Sequence, residues 1–395
     1  MFNDQLIKLT AHGTKTLHVF CYSFIFKKYG LLLIFCITSY FSTAQKGLSI
    51  ESTFHLGAVT KHSPELTFDV KGPTVGIDVN FKFQTSGEKE WHQWRKFPQF
   101  GITGAWFRFG NTAILGNALT ICPNIITTLF KRKKWKGHFQ VGTGIAYLTK
   151  KYNPVSNPEN NAIGSNITAS ILMKFYTARQ ITSKVKLHAG ISLNHFSNGG
   201  SRLPNFGLNI PALMLSLNYS PELLEQSDFI FHNKSKKIIR RFGIDIQSGA
   251  GLVQRFSIGG PRYPIYFAAL GGNYYLNQQN RIIAGFEFEQ NKAIFEFVLH
   301  TNHSETEKDA KKKASRLTFF IGEEFLFGNW SMILSAGFYL GNFSFLKGGN
   351  FYTKFSTRYY LPAKSALDRK IFLSISLKTH LTVAEYLGLG GGINF

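Results

Sequence analysis

After residue 45 the chain holds no apolar run long enough to make a membrane-spanning helix, and polar and apolar residues alternate instead with period two. Residues 164–176, GSNITASILMKFY, show the pattern. Ile167, Ala169, Ile171, Met173 and Phe175 share one face, and Asn166, Thr168, Ser170 and Lys174 share the other, with Leu172 as the exception. About eight such segments occupy residues 46–220, at roughly 46–60, 72–85, 97–111, 114–130, 138–150, 164–180, 184–198 and 209–220. About eight more occupy 242–395, at roughly 242–254, 264–277, 281–291, 316–328, 330–341, 350–361, 370–382 and 385–395. Gly, Asn, Pro and Lys clusters bound them, as turns require. Each is close to the length of a transmembrane β-strand.

This pattern predicts an all-β protein, an antiparallel transmembrane outer-membrane β-barrel of about sixteen strands, built as one large barrel or as two eight-stranded units. A soluble β-sandwich also alternates. The glycines and aromatics within the strands, among 37 Gly and 39 Phe in the chain, favour the barrel. So does the ending GLGGGINF, where Leu387, Leu389, Ile393 and Phe395 share a face. A last alternating strand closed by Phe resembles the signal that the outer-membrane barrel assembly machinery reads. The expected divisions are a leader at 1–44, a first barrel region at 45–220, a polar basic linker at 221–241 and a second barrel region at 242–395. Residues 292–315 read as a charged insertion in which KDAKKKA forms a short exposed helix or a loop.

The leader has the order of a secretory signal peptide. Lys27 and Lys28 precede the apolar run from Leu31 to Phe41, and Ser42-Thr43-Ala44 follows. It carries a net +3 (Lys8, Lys15, Lys27 and Lys28 against Asp4), which leaves +20 of the total +23 on the exported chain. An exported chain is not expected to meet nucleic acid. Its counter-ions are expected to be anionic lipid head groups and lipopolysaccharide phosphates. Of the three cysteines only Cys122 lies beyond the leader, so no disulfide framework is expected.

The strand LHAGISLNHFSN, residues 187–198, carries chemistry. Leu187, Ala189, Ile191 and Leu193 form its apolar face, and the same face continues with His195 and then Ser197. With the N-terminus in the periplasm this seventh strand runs outward, so the two residues fall near its extracellular end. A serine beside a histidine is the minimum for an activated hydroxyl nucleophile. A bare His-x-Ser is also compatible with an interfacial pair where a strand leaves the membrane.

The residues that follow, HFSNGGSRLPNFGLNIP, resemble the lipid A 3-O-deacylase (PagL) / acyloxyacyl hydrolase family of outer-membrane barrels. The shared elements are His195-x-Ser197-Asn198 and Pro204-Asn205-x-Gly207. The stretches GTGIAYLTKKY (142–152) and NNAIGS (160–165) resemble the same group, and the likeness spans about residues 46–220. It implies an eight-stranded barrel with a lipid-facing Ser–His–acid triad near the outer surface. Ser197 would be the nucleophile and His195 the base. Gly200, through its backbone N–H, and Asn205, through its side chain, match oxyanion positions.

The family's acid falls on Asn209, and no Asp or Glu occurs between Glu159 and Glu222. Asn209 shares the apolar face of the returning strand with Leu213, Leu215 and Leu217. A carbonyl oxygen on an amide can orient an imidazole as it does in Cys–His–Asn sites, without a carboxylate's charge. A second resemblance is to outer-membrane phospholipase A, with His195-Phe196-Ser197-Asn198-Gly199 and an Asn twelve residues beyond the serine. That enzyme uses calcium, held in part by an Arg where this chain has Gly200, so calcium is not carried over. No cofactor or metal is expected.

Two other histidine groups invite attention. His380, in LSISLKTH, lies on the face opposite Ile375 and Leu377 and is expected to point into the lumen with a structural hydrogen bond. His300, His303 and Glu305 lie in the charged insertion and are expected to be solvated. The leading expectation is an outer-membrane serine esterase that removes ester-linked acyl chains from lipid A. Outer-membrane phospholipase A is the alternative, and a non-catalytic porin or structural barrel is the alternative of another class.

Overall fold

A computed structural model describes residues 46–232 and 241–395, apart from 302, 304–305, 342–348, 363–369 and 381–382. The leader, Glu305 and residues 233–240 of the basic linker lie outside the described residues.

The first eight strands are β1 Leu48–Gly57, β2 Thr74–Gln84, β3 Gln99–Arg108, β4 Asn117–Arg132, β5 Trp135–Leu148, β6 Ile167–Gln180, β7 Val185–Ser197 and β8 Leu208–Tyr219. The next eight are β9 Phe242–Gln254, β10 Arg262–Tyr275, β11 Asn280–Asn291, β12 Ser315–Phe327, β13 Trp330–Tyr339, β14 Phe351–Tyr360, β15 Lys370–His380 and β16 Val383–Asn394. Neighbours pair antiparallel; β8 returns to β1 and β16 returns to β9. The strands therefore close as two eight-stranded barrels rather than one of sixteen. Closure leaves neither sheet an unpaired edge, the condition for strands in a lipid phase.

The alternation sorts side chains as the sequence pattern predicts. In β6, Ile167 and Phe175 are exposed on the outer wall, whereas Thr168, Ser170 and Lys174 are buried in the lumen. Leu172, the exception, is also buried inward. The same outer band includes Ile121, Ile145, Leu213, Leu215 and Leu217 in the first barrel and Leu373, Ile375 and Leu389 in the second.

Charged side chains fill the middle of the first lumen. Lys82 pairs with Glu51 at 2.7 Å, Lys174 with Asp78 at 2.8 Å, His188 with Glu51 at 2.6 Å and His55 with Asp78 at 2.5 Å, all buried. At one end the loops fold inward as an apolar plug: Phe68, Phe107, Phe109, Leu148, Ile163, Phe196 and Ile210 are almost wholly buried together. At the other end the lumen opens as a cup of about 640 Å³ lined by Lys131, Lys133, Lys134, Lys136 and Lys186, with the buried Lys82 among its lining residues. Part of the chain's excess positive charge collects there, away from the His195 end.

In the second barrel His380 turns inward as expected. It bonds to Glu385 at 2.9 Å and to the Tyr339 hydroxyl at 3.2 Å. The insertion at 292–315 holds the short helix expected over KDAKKKA and a second helix before it. It forms α2 (Lys292–His300) and α3 (Glu307–Ala314), following the short α1 (Glu90–Trp94) between β2 and β3. Ile294, Phe295 and Val298 of α2 pack on Ala310 and Ala314 of α3, so apolar residues spaced three and four apart hide beneath a charged outer face. His300 bonds to the Glu296 carbonyl, one turn back on the same helix, and His303 stacks on Phe297.

The two barrels touch at both ends. Near the cup, the Arg95 guanidinium donates to the carbonyls of Gln279 (2.6 Å) and Leu326 (3.1 Å) and lies over the Phe327 ring. Near the plug, the Gln254 N–H at the tip of β9 donates to the Gly200 carbonyl at 3.0 Å.

Candidate active site

Strand pairing places the first two groups. β7 and β8 are joined in a register that sets His195 directly opposite Asn209. Both stand on the outer wall, one pleat beyond Leu193 and Pro211, at the plugged end of the barrel. His195 Nδ1 donates to Asn209 Oδ1 at 2.6 Å. The Asn209 carbonyl oxygen thus takes the place expected of the acid.

A group that no sequence motif marked completes this pair. Asn209 Nδ2 donates to His62 Nδ1 at 3.1 Å, and His62 Nε2 donates to the Phe206 carbonyl at 2.9 Å. His62 comes from the β1–β2 loop. A backbone bond between Thr60 N and the Asn209 carbonyl, at 2.8 Å, ties that loop to the start of β8.

Ser197 ends β7 and is 5 % exposed. Its Oγ accepts from Asn205 Nδ2 at 2.9 Å and from the Gly199 N–H at 3.2 Å. Asn205 Oδ1 is occupied by the Asn198 N–H at 2.9 Å, which can only donate, and this fixes the amide with its N–H₂ toward the serine. Ser197 and His195 are not hydrogen-bonded to each other among the described residues. The structure brings together His195 with Asn209 and Ser197 with Asn205, and leaves the first pair apart from the second.

Gly200 adopts a φ of +80°, and a Cβ there would lie 2.6 Å from the Glu385 carbonyl of the second barrel. Only glycine permits both the left-handed turn and this approach. Its N–H has no protein partner among the described residues, whereas its carbonyl is held by Gln254. The Gln254 side chain also accepts from Leu203 N at 2.7 Å. The loop that carries both expected oxyanion donors is therefore braced by the second barrel. Gly207, with a φ of +80°, lets the end of the loop pass His195, because a Cβ there would stand 3.0 Å from Cε1.

An apolar groove of about 660 Å³ runs down the outer wall from this point, lined by Leu56, Gly57, Met173, Leu193, Pro211 and Leu213. Leu193 and Pro211 adjoin His195 and Asn209 on the same face.

The site thus offers an imidazole held at Nδ1, a serine hydroxyl set among N–H donors, and an apolar channel beside them. No three His, Cys, Asp or Glu side chains converge as metal ligands among the described residues. His62 and Gln254 were not found from sequence. Each acts through loop contacts with no periodicity or spacing to betray them.

Two family models match the chain. "Lipid A 3-O-deacylase (PagL)" matches residues 75–218, and "Acyloxyacyl hydrolase, C-terminal domain" matches residues 242–395. No curated protein matches significantly. Among solved structures, neisserial surface protein A (NspA) is 9% identical, with 44% of this chain and 97% of that chain covered and a TM-score of 0.32. The outer membrane enzyme PagL is 13% identical, with 43% and 98% covered and a TM-score of 0.28.

Proposed function

Because this chain belongs to the lipid A 3-O-deacylase (PagL) and acyloxyacyl hydrolase family of outer-membrane barrels, we propose that it is a serine esterase that removes ester-linked acyl chains from lipid A at the outer leaflet. The observation that carries this reading is the His195–Asn209 pair on the outer wall at the head of an apolar groove. A soluble hydrolase has no use for that placement. An enzyme whose substrate already lies in the membrane needs it.

The chemistry follows from the groups present. Asn209 Oδ1 holds Nδ1–H, so Nε2 carries the lone pair. For the reaction Ser197 Oγ would have to leave Asn205 for His195, as a turn about χ1 from one staggered well to another could bring about. Such bonds commonly tighten only when substrate is bound. Nε2 takes the Oγ proton as Oγ attacks the ester carbonyl carbon. The new oxyanion meets donors already in place, Asn205 Nδ2 and the N–H groups of Gly199 and Gly200. One such donor is worth roughly 10²–10³ in rate. The imidazolium then gives its proton to the departing sugar-side oxygen. Water, activated by the same ring, releases the fatty acid and restores Ser197.

The leader 1–44 would deliver the chain to the periplasm, and the terminal Phe395 would present it to the barrel assembly machinery. The second barrel would brace the loop that carries Gly200 and Asn205. The lumen argues against the porin alternative, since ion pairs and the apolar plug fill the first barrel.

Mass spectrometry of lipid A and phospholipids from cells carrying the wild type or Ser197→Ala tests the proposal. Loss of an ester-linked acyl chain from lipid A, abolished by Ser197→Ala, is expected. Acyl release from phospholipid alone would assign the phospholipase activity. Unchanged lipids with a folded wild-type barrel would sink both.

A further inference from the structure

We propose that His62 is a positioning residue that selects the reactive tautomer of His195 by fixing which way the Asn209 amide faces. The role rests on the esterase reading for its purpose, but not for its geometry.

The argument begins at the Phe206 carbonyl, which can only accept. It lies 2.9 Å from His62 Nε2, so that nitrogen carries the proton. In the neutral ring Nδ1 is then an acceptor. The Thr60 carbonyl also lies near Nδ1, at 3.4 Å, but a carbonyl offers no proton to that lone pair. Asn209 Nδ2, nearer at 3.1 Å, does. With its N–H₂ turned to His62, Asn209 must present Oδ1 to His195. Oδ1 accepts, so His195 holds its proton on Nδ1 and leaves Nε2 free to act as base. An inverted amide would reverse every step. Nδ2 would face His195 Nδ1, the His195 proton would move to Nε2, and no base would face the serine. A carboxylate needs no such partner, because both its oxygens accept. His62 supplies the directionality that the change from acid to amide removed.

The test combines a tautomer measurement with a double-mutant cycle. In protein labelled with ¹⁵N-histidine and held in nanodiscs, His195 should be a single Nδ1–H tautomer. His62→Ala should convert it to a mixture. His62→Gln, whose Oε1 can accept from Asn209 Nδ2, should restore the single form. In acyl release, His62→Ala should lower kcat about two- to ten-fold with KM unchanged. Two-fold is the floor, since a freely turning amide faces the wrong way about half the time, and the upper figure is the worth of one neutral hydrogen bond. In the Asn209→Asp background His62→Ala should change kcat by less than about two-fold, because orientation no longer matters. A single Nδ1–H tautomer retained in His62→Ala, or equal losses in both backgrounds, overturns the inference. The tautomer can be read whether or not the barrel hydrolyses lipid, so failure of the esterase proposal and failure of this one are told apart.

Discussion

Asn209 faces His195 across paired strands and accepts its Nδ1 proton at 2.6 Å, in the place where a carboxylate is expected by resemblance. Orientation is kept by this exchange and charge is given up. Asn209→Ala should therefore lower kcat by about ten- to a hundred-fold, the value of a hydrogen bond to a ring that becomes charged during turnover. Acyl release from purified lipid A in detergent micelles measures it. Asn209→Asp should not fall below the wild type in the same assay.

Gln254 reaches from the second barrel to the loop that holds Gly200 and Asn205. Gln254→Ala removes the acceptor for Leu203 N and should lower kcat about five- to ten-fold, the scale of one lost hydrogen bond. Thermal unfolding should scarcely move. Steady-state kinetics on the full chain separates this from a loss of fold.

Leu193 and Pro211 line the groove one pleat from His195 and Asn209. Leu193→Trp should fill it near the site. The expected result is a shift toward shorter released fatty acids and a higher KM for long ones. Gas chromatography of the released acids from mixed-chain substrate reads this directly.

Lys174 is fully buried between Asp78 and Glu51. Lys174→Met leaves Asp78 without its cation inside the lumen. Breaking a buried pair in this way costs about 3–5 kcal/mol. The variant barrel should unfold at lower denaturant concentration, while the protein that remains folded keeps its acyl-release kcat. Denaturant titration followed by tryptophan fluorescence checks the first point.

The strands were legible because one physical rule decides them. Every second side chain of β6 must suit lipid and every other must suit a polar lumen, so Ile167 to Lys174 could be sorted by eye. His195 and Asn209 were singled out by the family resemblance, and the same rule set them on the apolar faces of consecutive strands, side by side. Closure into two barrels was not readable, because alternation is identical in a sheet of eight and a sheet of sixteen. A helix over KDAKKKA was legible, but its packing on α2 was hidden by charge: Lys311, Lys312 and Lys313 dominate the sequence, while Ile294, Phe295 and Val298 make the contact. His62 lies 147 residues from Asn209, and only the folding of one loop onto one strand end makes them neighbours.

The plug formed by Phe68, Phe107, Phe109 and Phe196 gives the first barrel a blocked interior. Nothing that reaches His195 has passed through the cylinder. The proposed lipid substrate would arrive sideways, by diffusion in a plane, at a rate set by how many molecules occupy each patch of leaflet rather than each volume of solution. A protein of this shape samples its surroundings as a post in a crowd does, by what brushes past its wall.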